Sequence, residues 1–344
     1  MSAVNVLVLV HGITPIREAS SHSRQYEDFV ARLCARSAAV RDRLLSTNHA
    51  QILGVEWGHE LPLSGPDTPD QFLTRAENRL VDCVSHIAVR EDSSPDNHLL
   101  RPGSEFLSGF TRGVTNQIKD DLFLLGFTDI AYYCSPDGEQ AVRRRVYTQV
   151  LELLRPFKNA EQVRLHVVAH SLGMTVAFDF LFGLFAPNDH YGNRPPDFIH
   201  ENRNAPELEA AVEDYQFWRD AANPDPPAAD AAPKRLVLGS TTSFGGQLAL
   251  LVMRKQALVE RLARQEPLDP TVIGIPMNGP PRWKNFYDVD DVLGFPVRRL
   301  FAATGTIQEY QVDCGGASRA HSGYWSHGGV LSEIASLIED NLGN

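Results

Sequence analysis

The chain is poor in cysteine. Its four thiols, Cys34, Cys83, Cys134 and Cys314, are scattered over 344 residues with no CxxC pair. That spacing argues against a disulfide framework and against a thiolate metal site, and it predicts a reduced, cytoplasmic protein. The twelve histidines form no HExxH pair, so no metal is expected. Neither GxxxxGK[ST] nor a strand followed by GxGxxG occurs, so no nucleotide or other cofactor is expected.

Long apolar runs are also missing. The N-terminal run, Val4–Val10, is too short to span a bilayer and has no basic segment before it. It reads as a buried strand rather than an anchor or a secretory signal, and no transmembrane segment is expected. Basic charge is in deficit: 32 Lys and Arg against 43 Asp and Glu give a net charge of -11. Such a surface repels phosphate backbones, which argues against a nucleic-acid partner. The one basic run, Arg143-Arg144-Arg145, lies in a helix-like stretch and reads as a solvated face. No internal repeat is visible.

What the chain does have is alternation. Val4–Val10 is an apolar, β-branched run but for Asn5, Leu7 and Leu9, of which only Asn5 is polar, the pattern of a strand covered on both faces. Ile52–Trp57, Asp129–Tyr133, Val163–Ala169, Arg235–Leu238, Arg299–Ala303 and Glu309–Val312 are further strand candidates, and Asn285–Tyr287 is strand-like. Helical spacing appears at Tyr26, Phe29, Val30, Leu33 and Ser37, and again at Val330, Leu331, Ile334, Leu337 and Ile338. Strands alternating with helices predict an α/β fold with a mainly parallel sheet and helices on both faces.

Two segments interrupt the pattern and are read as insertions into a single domain. Residues 58–126 carry two helical stretches, one with Leu73, Leu80, Val84 and Ile87, the other with Phe106, Phe110, Val114, Ile118, Leu122 and Leu125. Amphipathic helices without a sheet of their own need an apolar surface to cover, so this segment is expected to form a helical cap. Residues 186–233 hold one amphipathic helix (Leu208, Val212, Tyr215, Trp218) and end in the low-complexity stretch 222–233, expected to be a mobile loop or second cap.

The strongest local signal is Val167-Val168-Ala169-His170-Ser171-Leu172-Gly173, a strand followed by an apolar helix. A serine on a sharp strand-to-helix turn has its oxygen exposed above the sheet, and small residues two before and two after allow the backbones to approach. Ala169 and Gly173 meet that need, with Ala where Gly is usual. The Leu172 N–H then lies at a helix N-terminus, ready to stabilise an oxyanion. A second donor is expected from Ile13, in the loop His11-Gly12-Ile13 that follows the first strand. His170 is read as a packing residue and His11 as a residue that shapes the loop.

In enzymes built on such a turn the chain order is Ser, then an acid, then His. His321, after the last strand candidate and before the C-terminal helix, has the required place; His327 is its rival and reads better as a surface or capping residue. The acid falls among Asp288, Asp290 and Asp291, where one carboxylate can accept from the imidazole and fix its tautomer.

These motifs, with Leu238-Gly239-Ser240, Trp283-x-Asn-Phe-Tyr, Asp-Asp-Val-Leu-Gly and the final His-Ser-Gly-Tyr-Trp, resemble bacterial α/β-hydrolases of the lipase and esterase kind from Val4 to Leu342, outside the two insertions. The resemblance implies an α/β-hydrolase fold and cofactor-free hydrolysis of a small-molecule or lipid ester. The roles fall on Ser171, His321 and Asp291; the commoner Asp-x-Val pattern selects Asp290 instead. The same triad would serve a thioesterase, an amidase or a phospholipase, and the same fold could be a silent ligand-binding protein.

Overall fold

The computed structural model describes residues 3–12, 19–57, 130, 133–187, 206–223, 235–252, 255–302 and 304–343. The chain divides into two compact units: residues 1–12, 20–57 and 133–344 form the first, and residues 13–19 and 58–132 the second. The helical stretches expected in 58–126, Ile13, and nearly all of the low-complexity stretch 222–233 lie outside the described residues. The sheet and its covering helices belong to the first unit.

Six strands form one sheet: β1 (Val4–Val10), β2 (Ile52–Val55), β3 (Val163–His170), β4 (Leu236–Phe244), β5 (Trp283–Tyr287) and β6 (Ile307–Gln311). Their order across the sheet is β2-β1-β3-β4-β5-β6 and every pairing is parallel. β1 and β3 are buried along nearly their whole length. That explains why they are mostly apolar, although Asn5 and His166 are buried among them: a parallel strand flanked by helices has no wet face to make polar.

The main helices around the sheet are α1 (Ala19–Arg36), α2 (Ala38–Leu44), α3 (Pro136–Leu154), α4 (Leu172–Phe185) and α5 (Pro206–Ala222), followed by a C-terminal helix, Gly328–Glu339. On one face of the sheet, Leu7, Leu9, Val168, Phe244 and Phe286 pack with Phe29 and Leu33 of α1, Val40 and Leu44 of α2, and Val330, Leu331, Ile334 and Ile338 of the C-terminal helix. Side chains alternate along a strand, so the neighbouring residues of β1 and β3 face the other way, toward the layer of α3, α4 and α5. Ser37 does not continue the apolar face of α1; its hydroxyl caps α2 by accepting the Val40 N–H at 3.1 Å.

The amphipathic helix expected within 186–233 is α5. Trp218 is buried, and Tyr215 donates its hydroxyl to the Gly183 carbonyl at the end of α4 at 3.1 Å. Arg219 reaches the Gly183 and Ala186 carbonyls, satisfying groups that a helix end leaves unpaired.

Three expectations are corrected. In the strand candidate Asp129–Tyr133, the described residues Ile130 and Tyr133 are helical. In Arg299–Ala303, Arg298–Leu300 is a 3-10 turn and Phe301 makes a single bridge to Leu268. Short apolar runs have no period to separate these outcomes. The basic run is not wholly solvated either: Arg144 is exposed, but Arg143 is half-buried and lies 3.8 Å from Glu139. Among the described residues no helix is long and apolar enough to cross a membrane.

Candidate active site

β1 and β3 are neighbours in the sheet, yet β1 leads toward α1 on one face and β3 into α4 on the other. Where connections diverge like this, the carboxyl ends of the strands leave a crevice, the usual ligand position in open parallel sheets. Gly12 closely follows the end of β1 and Ser171 directly follows β3.

The chain must reverse sharply between β3 and α4, and Ser171 absorbs the bend with φ 54° and ψ -131°. A non-glycine residue in this region stores on the order of 1–3 kcal/mol of strain, which the surrounding packing must offset. Here Ser171 N–H donates to the Phe244 carbonyl at 3.0 Å, and the Met174 N–H donates to the Ser171 carbonyl at 3.0 Å. The turn also needs bare backbone beside it. A Cβ on Gly12 would stand 2.3 Å from the Ser171 Cβ, and one on Gly173 would stand 2.1 Å from the His11 carbonyl oxygen.

Three sequence-predicted residues meet here. His321 Nε2 lies 2.9 Å from Ser171 Oγ. On the other side of the ring, Nδ1 lies 2.9 and 3.1 Å from the two Asp291 oxygens. A carboxylate only accepts, so Nδ1 carries the proton and Nε2 presents its lone pair to the serine hydroxyl. The Asp291 side chain is fully buried while that of His321 is 14% exposed, so the imidazole stands between a sealed carboxylate and an accessible edge.

Asp291 is held from further directions. The Leu293 N–H donates to Oδ1 at 3.0 Å and the Tyr324 hydroxyl to Oδ2 at 3.0 Å. Burial and the Asp291 charge both push the Tyr324 phenol well above its ordinary value, so it stays a donor. The alternative acid, Asp290, has an exposed side chain and does not reach the imidazole; its N–H donates to Asp288 Oδ1 at 2.9 Å. Asp288 in turn fastens the loop after β6 by accepting the Cys314 N–H at 2.6 Å. The Cys314 thiol is pushed up to about 12 by burial and the nearby Asp288, Asp291 and Asp313, which makes it a poor nucleophile.

Leu172 is the first residue of α4, so its N–H has no helical carbonyl to bind and lies beside Ser171. His11 is buried directly after β1. Its Nδ1 lies 2.6 Å from the Gly12 carbonyl oxygen, its N–H donates to the Tyr26 hydroxyl at 2.9 Å, and its carbonyl accepts the Trp57 indole N–H at 3.0 Å. These bonds fix the loop after β1. His327 caps the C-terminal helix, its Nδ1 accepting the Val330 N–H at 3.2 Å.

Two contacts at the site go beyond the sequence reading. Gln247, buried after β4, donates from Nε2 to Ser171 Oγ at 3.1 Å. His170 Nε2 lies 2.7 Å from the His321 carbonyl oxygen and must donate to it, so this residue holds the backbone of the predicted base. Neither has a local sequence signal, since each depends on which strands become neighbours. Among the described residues no group of three or more His, Cys, Asp or Glu side chains is placed to hold a metal ion. Comparison with protein-family models, with curated proteins and with solved structures finds no match to this chain.

Proposed function

We propose that the protein is a serine hydrolase of the α/β-hydrolase kind that cleaves carboxylic esters through an acyl-enzyme. The observation that carries this reading is the continuous chain from Ser171 Oγ through His321 to Asp291, set on a strained strand-to-helix turn. The order along the sequence supports it too: the serine follows β3, the acid β5 and the histidine β6.

In this mechanism His321 Nε2 takes the Ser171 proton as the hydroxyl oxygen attacks the acyl carbonyl carbon. Asp291 stabilises the resulting imidazolium through Nδ1–H. The Leu172 N–H receives the oxyanion of the tetrahedral intermediate; Ile13, expected from the sequence to be the second donor, lies outside the described residues. The Gln247 amide supports the nucleophile by donating to Oγ as negative charge develops there. Collapse breaks the ester C–O bond, and the alcohol leaves with the proton from His321. A water molecule then repeats the sequence on the acyl-enzyme and regenerates Ser171.

Initial rates on a panel of chromogenic esters, thioesters and anilides test the reaction class. The reading requires ester turnover that falls by about a million-fold in Ser171→Ala. Turnover confined to thioesters or anilides would keep the triad and change the bond. No turnover on any of the three would overturn the reading.

A further inference from the structure

A cavity lies at the amino ends of the strands. Arg164 is the second residue of β3, whereas Ser171 follows its last residue, so the two lie roughly 20 Å apart along the strand direction. Arg282 immediately precedes β5. Both arginines line a cavity of about 540 Å³, a volume within the range that holds a small organic ligand. Its other walls are mainly apolar, with Val237, Leu238, Ile275 and Met277 among them. Val237 stands directly opposite Arg164 in the β3–β4 ladder, so an apolar side chain flanks the guanidinium on the same face of the sheet.

The two guanidiniums are poorly matched by the protein itself. Among the described residues Arg164 reaches the Asn341 carbonyl alone, at 3.4 Å, and Arg282 the Gly239 carbonyl, at 2.8 Å. The Nε atoms of both are buried without a hydrogen-bond partner. Among the described residues neither has a carboxylate partner. Burial pulls both below their ordinary values, and the Arg164 charge further lowers Arg282 and the buried His166. Two half-buried cations that line one cavity, with no carboxylate partner among the described residues, are costly unless an anion joins them.

We propose that this cavity binds a small amphipathic carboxylate. Its anionic head accepts from Arg164 and Arg282, and its apolar body lies against Val237, Leu238, Ile275 and Met277. A carboxylate suits the site because its two oxygens can accept from the terminal N–H groups of the two guanidiniums that line the cavity. A free phosphate would bring more oxygens than the apolar walls can satisfy. The site is independent of the reaction assigned to Ser171.

Isothermal titration of the full-length protein with octanoate tests the proposal, with 1-octanol and inorganic phosphate as the apolar-only and anion-only arms. Octanoate is expected to bind at millimolar or lower concentration, and to bind more tightly than either control. Arg164→Gln and Arg282→Gln should each weaken it by about tenfold or more, as removing one partner of a buried charged pair does. Val237→Glu places a carboxylate beside Arg164 from within the chain and should abolish octanoate binding while the thermal unfolding stays cooperative. That variant decides the matter if an arginine variant fails to fold. The proposal is overturned if octanoate does not bind, if 1-octanol or phosphate binds as tightly, or if octanoate affinity is unchanged in Arg282→Gln and Val237→Glu.

Discussion

Tyr324 donates its hydroxyl to Asp291 Oδ2 at 3.0 Å and accepts the Asp288 N–H at 2.8 Å with the same oxygen. One phenol therefore ties the acid of the site to the backbone at the end of β5. The carboxylate is aimed at His321 by its surroundings and not by its own rotamer alone. Tyr324→Phe keeps the ring packing and removes both bonds. Turnover is expected to fall by about tenfold, and stability by about 1–3 kcal/mol because the buried Asp288 N–H loses its acceptor. Kinetics and denaturant unfolding of the same preparation check the two effects.

The acid is assigned by comparing neighbours. Asp291→Asn should lower turnover by about ten-thousand-fold, since the amide cannot hold the productive imidazole tautomer. Asp290→Asn should have little effect, because its side chain is exposed and makes no contact with His321. Parallel kcat measurements decide the point; a crippled Asp290→Asn with a mild Asp291→Asn would reverse the assignment.

The approach of Gly12 to Ser171 leaves no room for a side chain. A Cβ at position 12 would meet the Ser171 Cβ at 2.3 Å, so Gly12→Ala must push the loop or the serine aside. Loss of turnover by about a hundred-fold is expected, the scale of an ångström-sized misplacement of reacting groups. Circular dichroism should show a folded protein; wild-type kinetics in this variant would contradict the close approach.

Much of this site is readable from the sequence because its signals are local. Ser171 sits between a strand and a helix that both announce themselves by composition, and His321 follows from chain order. The acid cannot be chosen that way, because Asp288, Asp290 and Asp291 share one turn and differ only in where the turn points them. Asp288 is spent on the Asp290 and Cys314 N–H groups, Asp290 faces solvent, and Asp291 faces the imidazole. Gln247, His170 and Tyr324 act across elements far apart in the chain, so their partners cannot be read from it, although His170 and Tyr324 stand within the motifs that carry the resemblance. The sheet is legible for a related reason: strands buried on both faces, such as β1 and β3, are mostly apolar. The same property makes Arg299–Ala303 look like a strand, although Arg298–Leu300 forms a 3-10 turn.

His166 gives the fold a pH dependence of its own. The ring is fully buried, with Nδ1 at 2.8 Å from Ser240 Oγ and Nε2 at 3.1 Å from Asn5 Oδ1. Burial, with the charges of Arg164 and Arg282, pushes it down to about 3 from an ordinary 6.5. The unfolded chain therefore takes up the proton first as pH falls. The contribution to stability is complete above about pH 6.5 and is lost progressively down to about pH 3, at about 1.4 kcal/mol per pH unit within that window. Denaturant unfolding across this range should show a shallower slope in His166→Gln than in wild type. Equal slopes would mean that His166 does not titrate in this way.

The central claim is that Ser171 is an activated nucleophile, and covalent labelling tests it most directly. Intact-mass spectrometry after brief exposure to a fluorophosphonate should show one adduct per chain in the wild type, mapped by peptide sequencing to Ser171. The adduct should be absent in Ser171→Ala and form far more slowly in His321→Ala, where the hydroxyl is present but has no base. No adduct on the folded wild-type protein, or one that persists in Ser171→Ala, would contradict the account.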